Sequence, residues 1–134
     1  MNIAMLLKDY KSFKIETYKL EKKQNIKDKD LLQKYGVYII SDPNDEVVYI
    51  GKAGTIKQAG TYKKQNISKR LKNIRDKQDA NDYFKDYMED KELDSLTFTC
   101  IVTVPTKLPG FVEADLVQKF FDEEKTLPLL NKSF

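Results

Sequence analysis

Two short β-branched and aromatic runs, Gly36-Val37-Tyr38-Ile39-Ile40 and Glu46-Val47-Val48-Tyr49-Ile50-Gly51, stand on either side of Ser41-Asp42-Pro43-Asn44-Asp45. Runs of this composition favour extended backbone, and a Pro flanked by Asp and Asn favours reversal. The pair predicts an antiparallel hairpin and commits the chain to at least one sheet. Leu96 to Val104, an apolar run with little alternation, reads as a further and central strand.

Helical spacing marks three other segments. Ile67, Leu71 and Ile74 recur from Asn66 among Ser68, Lys69, Arg70, Lys72 and Arg75, which predicts a basic amphipathic helix. Ala80 to Asp90 predicts a second, with Tyr83, Phe84, Tyr87 and Met88 buried. Leu108 to Lys125 predicts a third, with Pro109 near its start and Val112, Leu116, Val117, Phe120 and Phe121 facing inward. The expected architecture is α+β: a small, mainly antiparallel three-stranded sheet flanked by helices, in the order β-β-α-α-β-α. Residues 1–35 form an N-terminal extension packed on the core of residues 36–134. Within it, Ile3 to Tyr10 reads as a short helix and Phe13 to Leu20 as a possible edge strand. The closing Leu-Pro-Leu-Leu-Asn-Lys-Ser-Phe reads as an extended tail whose leucines need cover.

At 134 residues the chain suits one domain. It holds no apolar stretch of the roughly 18–20 residues that span a bilayer, so the expectation is a soluble, cytoplasmic protein without a membrane partner. It contains no histidine and a single cysteine, Cys100, which excludes a disulfide framework, multi-thiolate zinc and Ser-His-Asp catalysis. Cys100 lies in the apolar strand and reads as a small buried hydrophobe. The net charge is only +3, but nine Lys/Arg residues and one acid fall between Lys52 and Lys77. Such a stretch is either a solvated face or a phosphate-binding one.

Gly36-Val37-Tyr38, a ten-residue gap and Tyr49-Ile50-Gly51 resemble the signature of the GIY-YIG nuclease superfamily, in particular its excinuclease and restriction-enzyme members. Arg70, Glu113 and Asn131 follow in the family's order, and the likeness covers residues 36–131. The resemblance implies an endonuclease that hydrolyses DNA phosphodiester bonds with one Mg²⁺ or Mn²⁺ ion, and in it Tyr38, Tyr49, Arg70, Glu113 and Asn131 are the implied catalytic set. Glu113 is the implied metal ligand, as hard cations prefer oxygen. A catalytically reduced nucleic-acid-binding module is the alternative, and a homodimer or partner protein is one source of specificity.

The residues themselves leave choices open. Tyr38 and Tyr49 either hold water and phosphate or merely pack the hairpin. Arg70, one of two arginines among 24 basic residues, suits a bidentate phosphate contact, with Arg75 as the competitor. Glu113 on an apolar helix either holds the metal or pairs with a lysine, and Asp115 reads as an exposed helix acid. Asn131 either orients the site or caps a turn. Lys52, Lys57, Tyr62, Lys63, Lys64 and Lys69 are the expected substrate-binding groups. Many family members place His or Tyr one turn after the helix arginine, whereas this chain has Ile74. The general base is therefore expected from the loop between Lys52 and Ser68, or from Tyr49 itself.

Overall fold

The computed structural model describes residues 1–22, 35–54, 57–60, 74–75, 78–132 and 134; for 74–75 and 78–81 the description is of the backbone. Helix α1 (Ile3–Leu6) and a 3₁₀ turn (Lys8–Tyr10) lead into β1 (Lys14–Glu21), β2 (Gly36–Ser41) and β3 (Val47–Ala53). A two-residue pair follows, β4 (Ile74–Arg75) and β5 (Gln78–Asp79). Helix α2 (Ala80–Asp90), strand β6 (Ser95–Val102) and helix α3 (Pro109–Glu124) complete the fold.

The main sheet has four strands in the order β1-β6-β2-β3, every neighbour antiparallel. This corrects the three-stranded expectation. The weakly alternating stretch after Phe13 pairs along its whole length with β6, from Lys14 opposite Val102 to Glu21 opposite Ser95. As an edge strand with Lys14, Thr17, Lys19 and Glu21 exposed, it carries too few apolar residues to signal its pairing from pattern alone. β6 lies between β1 and β2, as its apolar sequence predicts.

The hairpin forms as expected. Asp42 Oδ1 accepts from the backbone N–H of Asn44 and of Glu46, at 2.8 and 3.0 Å, an Asx-type closure of the turn. Tyr38 faces Gly51 and Ile40 faces Tyr49. The register then slips so that Ser41 faces Val47, leaving Val48 as the extra residue of a bulge.

Both faces of the sheet are covered, which is why every residue of β2 is buried. One face presents Tyr38, Ile40, Tyr49, Phe98 and Cys100 to Phe84 and Met88 of α2. The other presents Val37, Ile39, Ile50 and Ile101 to Val112, Leu116, Val117 and Phe120 of α3, with Leu6 and Tyr10 closing the margin. Burying such a side chain contributes about 1.5–3 kcal/mol.

Of the predicted stripes, Phe84 and Met88 of α2 and Val112, Leu116, Val117 and Phe120 of α3 are buried, whereas Tyr83 and Tyr87 are only partly so. Phe121 is 46% exposed, because Phe120 takes the inward position at that turn. Ile74 and Arg75 are paired as a strand with Asp79 and Gln78, so the basic helix expected from Asn66 does not run through them. Its earlier residues lie outside the described ones. Of the tail leucines, Leu130 is buried whereas Leu129 is 68% exposed.

Candidate active site around the hairpin

Strand alternation divides the Tyr-Ile-Gly-Lys run between the two faces. Tyr49 and Gly51 share a face with Tyr38; Ile50 and Lys52 belong to the other, where Lys52 pairs with Val37. The Tyr38 and Tyr49 rings stack with centroids 5.6 Å apart and planes 26° from parallel. Phe84 meets Tyr49 edge-on at 5.3 Å. Gly51 makes this possible, because a Cβ there would stand 2.6 Å from Tyr38 Cζ and 2.7 Å from both Tyr38 Oη and Tyr49 Cε1. Both rings are buried, Tyr38 at 0% and Tyr49 at 3% exposure. They are packing aromatics of the hairpin whatever further role their hydroxyls have.

On the opposite face, Lys52 reaches the start of α3, with its Nζ 3.4 Å from where a Gly110 Cβ would sit. Glu113 follows Gly110 by three residues, so the helical period sets both on neighbouring positions of one side. Glu113 is half-buried. The structure thus brings Lys52 and the helix turn of Glu113 together. The tyrosine rings sit across the sheet from that helix.

Asn131 joins neither group by its side chain. Its Oδ1 accepts from Ile50 N–H at 2.9 Å and its Nδ2 donates to Ile50 C=O at 2.8 Å. Leu130 N–H also donates to Val48 C=O at 2.9 Å. The tail therefore occupies the outer edge of β3 in place of a fifth strand. Asn131 fastens the backbone between Tyr49 and Gly51, rather than capping a turn through its side chain.

Asp115 is not the exposed acid expected. It accepts a short hydrogen bond from Tyr10 Oη and lies 3.1 Å from Lys119 Nζ, which also contacts Asp9 at 2.7 Å. Burial raises the Asp115 carboxyl, but its hydrogen bonds with Tyr10 and Lys119 outweigh this and hold it below the ordinary value. Asp115 is committed to joining α3 to the N-terminal segment. Lys57 is exposed at a turn closed by Gly60 N–H on its carbonyl. Arg70, Tyr62, Lys63, Lys64 and Lys69 lie outside the described residues.

Sequence reasoning missed Glu16 and Tyr18. The register runs Glu16–Cys100–Tyr38–Gly51 straight across all four strands, with Tyr18 in the next row beside Phe98. Glu16 Oε2 is buried without a hydrogen-bond partner among the described residues, and the Tyr18 hydroxyl is buried against the Cys100 thiol. The alternation of Glu16, Tyr18 and Leu20 was the available signal. Burial, then the proximity of Cys100, Glu16 and Tyr38, raises the Tyr18 phenol far above its ordinary value. Burial also pushes the Cys100 thiol up to about 12; the adjoining Tyr18 hydroxyl lowers it by less, and the charge of Glu16 adds to the rise. At neutral pH both stay protonated, so neither is a base.

Among the described residues no group of three or more His, Cys, Asp or Glu side chains is placed to hold a metal. No helix among them is long and apolar enough to cross a membrane. Compared with protein-family models, with curated proteins and with solved structures, the chain matches none.

Proposed function

We propose that the protein is a metal-dependent endonuclease that hydrolyses DNA phosphodiester bonds, with a site of the GIY-YIG kind. The observation that carries this reading is the hairpin register: Tyr38 faces Gly51 and stacks on Tyr49, in the order that the resemblance requires. The strand β6 that pairs with this hairpin is followed by the helix bearing Glu113.

Each residue then has a job. Lys52, beside the first turn of α3, neutralises a phosphate oxygen, and Arg70 contributes a bidentate contact. Asn131 acts indirectly, holding Ile50 and so the spacing of Tyr49, Gly51 and Lys52 along β3. Glu113, a half-buried carboxylate, would hold a hard divalent cation through oxygen, the donor such ions prefer. Such an ion supplies charge neutralisation at the phosphoryl group. Because the tyrosine rings and α3 cover opposite faces and the tail lines the outer edge of β3, a shared site has to form around the Gly54 end of β3. The proton acceptor is one of the loop groups Lys57, Tyr62, Lys63 and Lys64, or Tyr49.

The second reading, a nucleic-acid-binding module without cleavage, is favoured by one observation: the complete burial of Tyr38. Incubation with supercoiled plasmid separates the two. Nicking with Mg²⁺ or Mn²⁺ that stops in EDTA supports the endonuclease; retardation without nicking in any metal supports the module.

A further inference from the structure

The first turn of α3 leaves apolar surface in water. Leu108 is 48% and Phe111 58% exposed, while their neighbours Pro109 and Val112 are buried. Two lysines border the patch. Lys107 Nζ stands over one face of the Phe111 ring, 5.1 Å from its centroid, and Lys52 Nζ abuts Gly110. The first turn of α3 carries no acidic residue. The lysine-rich stretch from Lys52 to Lys77 also begins here, since Gly54, just past β3, packs on Pro109.

Phe121 provides the contrast. It is a comparably exposed phenylalanine on the same helix, but Asp122, Glu123 and Glu124 follow it directly. That end repels a polyanion, whereas the Phe111 end attracts one. An exposed ring with one cation over one of its faces and another beside the helix turn matches the needs of an unstacked nucleotide, whose flat base stacks on the face opposite Lys107 and whose phosphate needs neutralising.

We infer that Phe111 is a stacking platform for an unpaired nucleobase, with Lys107 and Lys52 on the adjacent phosphates. This rests on the endonuclease reading and narrows its substrate to DNA with single-stranded or branched character. Paired duplex keeps its bases stacked inside and gives Phe111 nothing to face.

The test is fluorescence anisotropy of the full chain with labelled single-stranded, forked and duplex DNA in EDTA, beside plasmid nicking in Mg²⁺. The wild type binds single-stranded and forked DNA more tightly than duplex. Phe111→Ala weakens those two by roughly tenfold, the scale of one lost base–aromatic stack, and leaves duplex unchanged. Phe111→Tyr restores binding and Phe121→Ala has no effect. Equal binding of all three DNAs by Phe111→Ala and wild type overturns the inference even if the plasmid is nicked. Loss of a dimer in Phe111→Ala with DNA binding intact overturns it in favour of a second copy of the chain as occupant. Selective loss of single-strand binding, with no nicking by the wild type, upholds the platform and removes the endonuclease reading. A wild type that binds no DNA overturns both.

Discussion

The Tyr38 hydroxyl lies directly over Gly51, 2.7 Å from where a Cβ on that glycine would stand. The hairpin tyrosines therefore owe their arrangement to an absent side chain. Tyr49 Cε1 crowds the same point at 2.7 Å, so neither ring can yield without displacing the other or Phe84.

Gly51→Ala is accordingly expected to destabilise the fold by about 1–3 kcal/mol, the usual cost of overpacking a filled core. Urea denaturation measures it. A midpoint equal to wild type would mean that the rings shift freely and that the stack is not fixed by the glycine.

Asn131→Ala removes both hydrogen bonds to Ile50, each worth about 1 kcal/mol net. The expected outcome is faster hydrogen exchange at the Ile50 amide, with the Ile39 and Tyr38 amides of the interior strand far less affected. Unchanged exchange at Ile50 would show that the tail is held by Leu130 alone.

Cys100 is expected to resist alkylation in the folded protein at pH 8, since its thiol is fully buried and raised to about 12. Urea should expose it to rapid labelling. Labelling of native protein at the unfolded rate would contradict the central place of β6.

The Asp115–Lys119–Tyr10 cluster sets a pH window. Asp115 is held below its ordinary value of 3.8, so its contribution is complete above that value and lost as pH falls through the depressed folded one. Burial lowers the Lys119 ammonium, but its hydrogen bonds to Asp9 and Asp115 outweigh this and raise it above 10.5. Its contribution is complete below 10.5 and lost as pH rises through the raised value. Asp115→Asn should therefore lower Tm at neutral pH, with the gap to wild type closing in acid. A gap that stays constant down to pH 2 would assign the loss to packing.

Much of this fold is legible in the sequence, for identifiable reasons. GVYII and LTFTCIV are buried on both faces and read as continuous apolar strands; α2 and α3 keep 3.6-residue stripes. β1 is only weakly legible, because an edge strand needs few apolar side chains and its inward positions are filled by Glu16 and Tyr18 as well as Leu20. The candidate site is legible as a set of residue types in order, but not as geometry. That alternation along β3 sends Tyr49 and Lys52 to opposite faces is readable from spacing. That Asn131 returns 81 residues to grip Ile50 is not, since only the folded tail brings them together. Asp115 and Glu113 look alike in sequence, and the partner that separates them, Tyr10, is 105 residues from Asp115.

That difference supplies the most direct measurement. Glu113→Gln and Asp115→Asn each remove one charge from the same helix, and supercoiled plasmid nicking in Mg²⁺ or Mn²⁺ reads what each charge does. Glu113→Gln is predicted to keep wild-type circular dichroism yet lose cleavage by on the order of 10²-fold or more, as removal of one transition-state electrostatic group does. Asp115→Asn should be less stable but nearly as active. Cleavage by folded Glu113→Gln at the wild-type rate would contradict the proposed site and remove Glu113 from the chemistry.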